Sequence, residues 1–351
     1  MTMANKVAVI GSGSWGTGVT RLLSPHVREV VVWSHEPEVA RGINENRRNP
    51  HQLRDYEVES NVRATTDLAA AVCDADAIVL AVPSPYLRAT CKGLVGYVGD
   101  ELPILVLTKA VEHGTGCLMA DVVEQELGGA GRIAVLSGPN HAEEISQGTI
   151  SAAVIASTSV PLAEYFRDLL VCPVFRVYVS EDVRGIEICG AEKNVIAIAC
   201  GIAAASGAGD NTLAVLMTRG LAEISRVAVA LGADPITCMG LAGMGDLVAT
   251  CTSRHSRNRS FGEAFARGES LEEYERRTGM VVEGAQATTS ILELALEKDI
   301  EVPITLAVNA VLFEGIPVSQ AIDVLLGRRS IEEFYGVIPS HVSEQSQRRD
   351  A

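Results

Sequence analysis

Residues 6–17, KVAVIGSGSWGT, decide the fold of this chain because they place three glycines directly after a short apolar run. In the spacing G-x-G-x-x-G, Gly11 permits a tight turn after a strand, Gly13 lets the backbone approach a pyrophosphate, and Gly16 allows a helix to pack closely on that strand. The amino terminus of the helix would then face the phosphates. A glycine-rich turn without a ligand is the alternative, but the strand pattern before it and the helix pattern after it favour dinucleotide binding.

The first half of the chain alternates short, continuous apolar runs with helical patterns. The run at residues 6–10 is followed by six others, at residues 29–33, 77–82, 104–107, 133–137, 152–156 and 174–180. Such runs are typical of strands that are buried on both faces of a parallel sheet. Pro37, after Glu36, suits the first turn of a helix, and Thr66 is a predicted N-cap. The pattern predicts an α/β domain with a mostly parallel sheet.

Strand patterns stop after residue 180, and the remainder of the chain predicts helices separated by glycine and proline breaks. We therefore expect a dinucleotide-binding domain over residues 1–180 and an all-helical domain for substrate binding and catalysis over residues 181–342. Residues 343–351 form a predicted polar tail. The length of 351 residues is consistent with two domains.

Composition excludes several classes of protein. Hydrophobic residues make up 47% of the chain and charged residues 21%, as in an ordinary globular protein. A net charge of -15 disfavours nucleic acid and anionic membranes as main partners. The eight cysteines form no CxxC pair, which indicates reduced thiols in a cytoplasmic setting. We expect a soluble chain, because no secretory signal precedes the first strand and the uncharged stretch 195–209 is too short to span a bilayer.

Glu36 follows the glycine motif at the distance where a dinucleotide-binding domain places the acid that contacts the ribose. Its carboxylate would accept a hydrogen bond from a 2′-hydroxyl and would repel a 2′-phosphate. A group of four basic residues could instead favour the phosphate or form a solvated loop, namely His35, Arg41, Arg47 and Arg48. NADH and NADPH therefore both remain open as the cofactor.

Lys193 lies in GAEKNVIAIACG, at the border between polar residues and a long run of small apolar residues. Partial burial there would lower the pKa of its amine, which suits acid–base chemistry. A carbonyl that accepts a hydride needs a proton at its oxygen, and an ammonium group can stabilise the developing alkoxide and supply that proton. The alternative is a solvated lysine beside Glu187 and Glu192 on an amphipathic helix face.

Residues 252–259, TSRHSRNR, form a basic and hydroxyl-rich segment in an otherwise acidic chain. Because arginine binds phosphate oxygens bidentately and serine and asparagine add neutral hydrogen bonds, the segment predicts a phosphate site. A solvated basic loop is the alternative, and the absence of interleaved aromatic residues disfavours a nucleic-acid patch. Cys251 and His255 could suggest zinc, but two ligands without a matching second pair do not predict a metal site.

Eight motifs occur in the order found in one family: GSGSWGT, AVPS, TKA, SGPNHAEE, GAEKNVIAIACGI, TRGLAEISR, GDLVATCTSRHSRNR and VVEG. Over residues 6–327 the chain resembles the bacterial NAD(P)-dependent glycerol-3-phosphate dehydrogenases. The resemblance implies a Rossmann-like domain followed by a helical domain, NAD or NADP as cofactor, and a homodimer. It also implies reduction of dihydroxyacetone phosphate to sn-glycerol 3-phosphate, which would supply glycerophospholipid synthesis.

The resemblance also implies roles for individual residues. Lys193 would donate the proton in reduction and accept it in oxidation. Together with the glycine motif, the cofactor site would comprise Gly11, Gly13, Ser14, Trp15, Gly16, His35, Glu36, Lys109, Ala142, Arg257, Val281 and Glu283. The substrate site would comprise Lys109, Gly138, Asn140, Lys193, Asn194, Asp246, Thr250, Ser256, Arg257 and Asn258.

One departure from the family pattern concerns Glu192, which occupies a position that is often apolar in relatives and would raise the pKa of Lys193. Two other functions fit the same scaffold. A reductase of another small hydroxy or keto acid would leave the arginine and hydroxyl segment without a purpose. A non-catalytic module that senses a dinucleotide would need neither Lys193 nor Arg257.

Overall fold

The computed structural model describes residues 4–329 and 332–337, so the predicted tail at residues 343–351 lies outside the described residues. The chain forms two compact units. Among the described residues, the first comprises 4–112 and 117–187, and the second comprises 113–116, 188–329 and 332–337. Every strand of the described residues lies in the first unit, and the second unit is built from helices.

The strands of the first unit form one sheet. They are β1 Ala4–Ile10, β2 Val27–Trp33, β3 Val62–Thr65, β4 Ala77–Leu80, β5 Ile104–Val106, β6 Ile133–Ser137, β7 Ser151–Ala156 and β8 Phe175–Ser180. Their order is β3-β2-β1-β4-β5-β6-β7-β8, and neighbours are parallel except for β6 and β7. The first six strands have the order of a doubly wound, Rossmann-like sheet. The prediction of a mostly parallel sheet is confirmed.

Helices cover this sheet and bury its apolar strands. They are α1 Ser14–Leu23, α2 Pro37–Asn46, α3 Leu68–Val72, α4 Ser84–Leu94, α5 Met119–Leu127, α6 Ala142–Ser146 and α7 Val160–Leu170. Pro37 opens α2 as predicted. The prediction for Thr66 is wrong by one residue, because Asp67 is the N-cap of α3 and its carboxylate accepts a hydrogen bond from the Ala70 amide at 3.1 Å.

The sequence pattern does not predict β3 or the direction of β7. β3 is a four-residue edge strand in which Arg63 is exposed, so it contains no continuous apolar run. Residues 138–150, between β6 and β7, hold only the five-residue helix α6. A parallel connection usually needs a longer crossover helix, so the chain returns antiparallel at this point.

The second unit confirms the predicted helical region. Helix α8, Val183–Ala205, begins in the first unit and continues into the second. It is followed by α9 Asp210–Ala230, α10 Asp246–Thr252, α11 Arg257–Ala266, α12 Leu271–Thr278, α13 Glu283–Lys298, α14 Pro303–Phe313 and α15 Val318–Leu326. Helix α8 is long and apolar enough to cross a membrane, but 78% of its most apolar window is buried within the fold, as in the core helix of a globular protein.

Glu187 stabilises the start of a helix in the first unit. It lies on α8, is buried, and its Oε1 accepts a hydrogen bond from the Ala120 amide in the first turn of α5 at 2.9 Å. Burial raises the pKa of this carboxyl to about 8, although the hydrogen bond from the Ala120 amide acts in the opposite direction. Glu187 therefore has a structural contact of its own and is not a solvated neighbour of Lys193.

Candidate functional site

The glycine turn between β1 and α1 has the geometry that its sequence predicts. Gly11 has a φ of +114°, and a Cβ at this position would lie 2.5 Å from the carbonyl oxygen of Ala81. A Cβ at Gly16 would lie 2.1 Å from the carbonyl oxygen of Gly11, so helix and turn are packed backbone to backbone. A Cβ at Gly13 would meet no atom within 4 Å. Two glycines are thus required by packing, whereas Gly13 opens onto unfilled space.

This open space suits the pyrophosphate of a dinucleotide. Gly13 is the N-cap of α1 and has no side chain with which to cap the first amides of the helix. Backbone amides at a helix amino terminus bind anions. The indole Nε1 of Trp15, in the first turn, is buried and has no hydrogen-bond partner among the described residues. A polar ligand at this turn would supply hydrogen-bond partners for the uncapped helix end and for the buried indole N–H.

The loop after α2 packs on the glycine turn. Asn49 is buried, and its Nδ2 donates to the Ser12 carbonyl at 2.8 Å and to the Thr17 hydroxyl at 2.9 Å. The Ser14 hydroxyl donates to Oε1 of Gln52 at 2.7 Å. The sequence analysis did not identify Asn49 or Gln52, because a contact between a loop and a turn more than 30 residues away leaves no local pattern.

Glu36 lies at the carboxyl end of β2, immediately before α2. Its backbone is tied to Ser34, whose hydroxyl is 2.7 Å from the Ser12 hydroxyl in the glycine turn. Its Oε2 lies 2.6 Å from Nδ1 of His51, and Nε2 of the same ring lies 3.2 Å from Oε1 of Glu38. The predicted ribose-contacting acid, Glu36, therefore has a contact with His51 that could not be predicted from the sequence.

Two of the arginines considered for a 2′-phosphate are already paired. Arg47 lies 3.2 Å from Glu57, and its Nε and Nη2 donate to the Val58 carbonyl. Arg48 lies 3.7 Å from the same carboxylate and donates to the Arg54 carbonyl at 3.3 Å. These contacts stabilise the loop after α2. Arg41 and His35 are exposed on the surface.

A second polar cluster of the first unit follows β5 and β6. Nζ of Lys109 lies 3.2 Å from Oδ1 of Asn140 and 3.3 Å from the carbonyl oxygen of Gly138. Nδ2 of Asn140 is buried and makes no hydrogen bond to any described residue. Ala142 begins α6, which packs against Gly18 of α1. The structure thus brings Lys109, Gly138 and Asn140 together and leaves a buried amide donor available to a ligand.

In the second unit, the predicted acid–base residue Lys193 belongs to a buried ion pair. Nζ of Lys193 on α8 lies 2.5 Å from Oδ1 of Asp246 and donates to the Thr250 hydroxyl at 3.0 Å. The Lys193 and Asp246 side chains are 7% and 3% exposed. Asp246 and Thr250 are one turn apart on α10, so they face α8 together. The predicted residues converge, and Lys193 is far more buried than a solvated lysine on a helix surface.

Close backbone packing links the next predicted residues. The Gly284 amide donates to Oδ1 of Asn258 at 2.9 Å, and a Cβ at Gly284 would lie 2.7 Å from the Asn194 carbonyl oxygen. Asn194 and Asn258 are both buried. Glu283 is the first residue of α13, and Val281 precedes that helix by two positions. The amino terminus of α13 is therefore anchored to the neighbours of Lys193 on α8 and of Arg257 on α11.

The basic segment forms the start of a helix. Ser256 is the N-cap of α11, its hydroxyl accepts a hydrogen bond from the Arg259 amide at 3.2 Å, and Arg257 is the first helical residue and is exposed. Arg259 has a different role, since it donates to the carbonyls of Cys251 and Thr252 and pairs with Glu263. Only part of the predicted basic segment therefore remains available for an anion.

The structure also shows the surroundings of Glu192, Cys251 and His255. Burial raises the pKa of the Glu192 carboxyl well above its usual range, and Glu223 raises it further. The charged neighbours of the Glu192 carboxyl are Glu223 and Arg226 on α9, whereas Lys193 pairs with Asp246 on α10. The hydrogen bond with Cys200, together with burial, raises the pKa of the Cys251 thiol, and His255 is exposed.

Comparison with known proteins identifies matching families over both halves of the chain. The model described as NAD-dependent glycerol-3-phosphate dehydrogenase N-terminus matches residues 6–163. The model described as NAD-dependent glycerol-3-phosphate dehydrogenase C-terminus matches residues 182–323.

Individual relatives agree with these matches. The glycerol-3-phosphate dehydrogenase [NAD(P)+] of Nocardia farcinica is 47% identical over 92% of this chain and 98% of its own length. The enzyme of the same name from Pelotomaculum thermopropionicum is 43% identical over 95% of this chain and 96% of its own length. The crystal structure of glycerol-3-phosphate dehydrogenase from Coxiella burnetii superposes with a TM-score of 0.88 at 33% identity, over 93% of this chain and all of that one.

Proposed function

The chain belongs to the NAD-dependent glycerol-3-phosphate dehydrogenase family, and from this premise we propose how its own residues divide the work of the reaction. It is an NAD(P)-dependent oxidoreductase that reduces dihydroxyacetone phosphate to sn-glycerol 3-phosphate. The product is a precursor of glycerophospholipids. The observation that supports the proposed mechanism most directly is the buried contact of Lys193 with Asp246 and Thr250.

Lys193 is the proposed general acid of the reduction. As the carbonyl carbon gains a hydride, its oxygen gains negative charge and takes a proton from the Lys193 ammonium. Asp246 is the counter-ion that keeps this buried amine charged, and Thr250 orients it. In the oxidative direction the neutral amine accepts the proton from the alcohol. Burial favours this role, because an ammonium excluded from water stabilises developing charge more strongly.

The amino terminus of α11 is the proposed phosphate site of the substrate. Arg257 there supplies an exposed guanidinium, and the helix end favours an anion. Asn194 and Asn258 are the proposed neutral partners of the substrate, and their positions are fixed by packing against Gly284. This arrangement explains why the substrate would be a phosphate ester, whereas a simple hydroxy acid would leave Arg257 without a partner.

The glycine turn and α1 are the proposed pyrophosphate site, where Gly13, Ser14 and Trp15 would contact the dinucleotide. Glu36 and His35 are the proposed neighbours of the adenosine ribose. Lys109 and Asn140 would contact the cofactor or substrate through the buried Asn140 amide. When bound, the nicotinamide supplies or accepts the hydride. The further proposed contacts are Gly138, Ala142, Ser256, Val281 and Glu283.

We also propose a homodimer in the cytoplasm. The family resemblance supports the dimer, and the cysteines support a reducing compartment, since none of the eight forms a disulfide in the described chain. Light scattering on the purified protein tests the dimer directly. A monomer at micromolar concentration would remove this part of the proposal and leave the chemistry unaffected.

Replacement of Lys193 by alanine tests the proposed mechanism. We expect Lys193→Ala to lower kcat with dihydroxyacetone phosphate by about 10²–10⁴-fold, the usual contribution of a general acid. Cofactor affinity, followed by nicotinamide fluorescence, should change little. Lys298→Ala, which removes an exposed lysine on α13, is the matched control and should retain full activity. A Lys193→Ala enzyme with near-normal turnover would refute the assignment.

A panel of carbonyl substrates tests the reaction itself. Dihydroxyacetone phosphate should be reduced, whereas dihydroxyacetone and small keto acids that lack a phosphate should be poor substrates. Binding of a dinucleotide without reduction of any carbonyl would instead support a sensor module.

A further inference from the structure

We propose that Glu36, positioned by His51, makes this protein bind NADH in preference to NADPH. The inference rests on the proposed cofactor site and specifies which nicotinamide that site selects. Glu36 is the discriminating residue, and His51 is a positioning residue that acts through Glu36. Three observations support this role: where the two residues are held, what charge surrounds them, and which groups the nearby arginines already bind.

The first observation is that Glu36 and His51 are both tied to the glycine turn. Ser34, which hydrogen-bonds the Glu36 backbone, also contacts the Ser12 hydroxyl in that turn. Asn49 holds the other side, since its Oδ1 accepts from the His51 amide at 2.9 Å while its Nδ2 donates to Ser12. The carboxylate therefore lies beside the proposed pyrophosphate site, where the adenosine ribose of a bound dinucleotide is expected.

The second observation is that His51 contacts two carboxylates at once. Its Nδ1 lies 2.6 Å from Glu36 and its Nε2 lies 3.2 Å from Glu38. Two carboxylates around one imidazole carry a negative net charge in either protonation state of the ring. A phosphate monoester carries about -1.5 to -2 at pH 7, so a 2′-phosphate would be repelled.

The same contact prepares Glu36 for a 2′-hydroxyl. His51 holds Oε2, whereas Oε1 makes no hydrogen bond to any residue that the structure describes. A ribose hydroxyl can donate to this second oxygen without displacing the ring. Without His51, the half-exposed Glu36 side chain would have to lose rotamer freedom when the nucleotide binds, which weakens binding.

The third observation concerns the arginines that could neutralise the charge of a 2′-phosphate. Arg47 and Arg48 both pair with Glu57 and donate to backbone carbonyls of the same loop. Recruiting either arginine would break these contacts. Arg41 is exposed on α2 and makes no ion pair within the described ranges, so a phosphate could engage it without such a loss.

The test is a comparison of equilibrium binding of NADH and NADPH, by protein-to-nicotinamide fluorescence, in buffer that contains EDTA so that no cation bridges the carboxylates. We expect the dissociation constant of NADPH to exceed that of NADH by about tenfold or more, the size of one hydrogen bond to a charged group. Glu36→Gln should reduce this ratio about tenfold, because it removes the repulsion. Glu101→Gln, which removes an exposed carboxylate elsewhere in the first unit, is the charge-matched control and should not change the ratio.

The positioning role of His51 needs its own variants. His51→Ala should weaken NADH binding by about tenfold, and His51→Gln, whose amide can still donate to Glu36, should weaken it less. Equal losses in the two variants, or no loss in either, would overturn this role.

Equal or tighter binding of NADPH by the unaltered protein would overturn the selectivity. The proposed function would survive that result, provided that NADPH is still oxidised by dihydroxyacetone phosphate. If neither dinucleotide binds, the proposed function itself fails.

Discussion

Removing one charge of the Lys193–Asp246 ion pair should lower the unfolding free energy far more than removing both charges. Asp246→Asn leaves the Lys193 ammonium, 7% exposed, with a neutral amide in place of its counter-ion. Water cannot screen a charge at this depth, and breaking a buried pair costs about 3–5 kcal/mol of unfolding free energy. For a unit of this size, the loss corresponds to a melting temperature lower by about 6–20 °C.

A double-mutant cycle separates this cost from the value of the pair. Lys193→Met combined with Asp246→Asn removes both charges, so the double variant should recover most of the stability that Asp246→Asn alone has lost. Urea unfolding followed by circular dichroism gives the four free energies. The double variant should remain inactive, because the proposed general acid is absent. If it is no more stable than Asp246→Asn, the buried ammonium is not the source of the loss and the reasoning fails.

Two further predictions concern Glu187 and Arg257. Because the folded pKa of Glu187 is about 8 and its ordinary value is 4.5, the native state binds the extra proton between these values and the unfolding free energy falls as pH rises through this window. Glu187→Gln should remove this contribution of Glu187 to the fall in unfolding free energy between pH 5 and 8. Unfolding free energies from urea curves that fall equally with pH in both proteins would contradict this. Arg257→Ala should raise the KM for dihydroxyacetone phosphate by about 10–100-fold, as expected for a lost charge-assisted contact. Steady-state kinetics with Arg254→Ala, a neighbouring exposed arginine, as the control should show no such rise.

The fold could be predicted from sequence wherever burial is continuous. β1, β4 and β6 are apolar along most of their length because both faces of the sheet are covered, and such runs are visible without a structure. β3 could not be predicted, because an edge strand with an exposed Arg63 has no distinctive pattern. The reversal at β7 depends on how far the chain between two strands can reach, which is a property of the connection and not of the strand.

In the candidate site, too, some residues could be predicted from the sequence and others could not. Gly11 and Gly16 could be predicted, because a Cβ at either position would lie 2.1–2.5 Å from a backbone carbonyl oxygen and no other residue fits there. His51 could not be predicted, since its importance comes from a loop that Asn49 fastens to the glycine turn. The neighbours of the Glu192 carboxyl could not be predicted either, because residues adjacent in sequence need not face the same part of the fold.

Helix α8 shows how two adjacent residues come to have different neighbours. Consecutive residues on an α-helix point about 100° apart, so Lys193 and Glu192 face different neighbours. Lys193 meets Asp246 on α10, whereas the Glu192 carboxyl lies in the field of Glu223 and Arg226 on α9. Glu223 itself accepts hydrogen bonds from the first amides of α14, at Ile304 and Thr305. Helix α8 thus separates the Lys193–Asp246 ion pair from two buried acids, Glu192 and Glu223, of which Glu223 binds the start of α14. Glu192 is therefore compatible with the proposed role of Lys193, because its charged neighbours lie on α9 and not in the ion pair with Asp246.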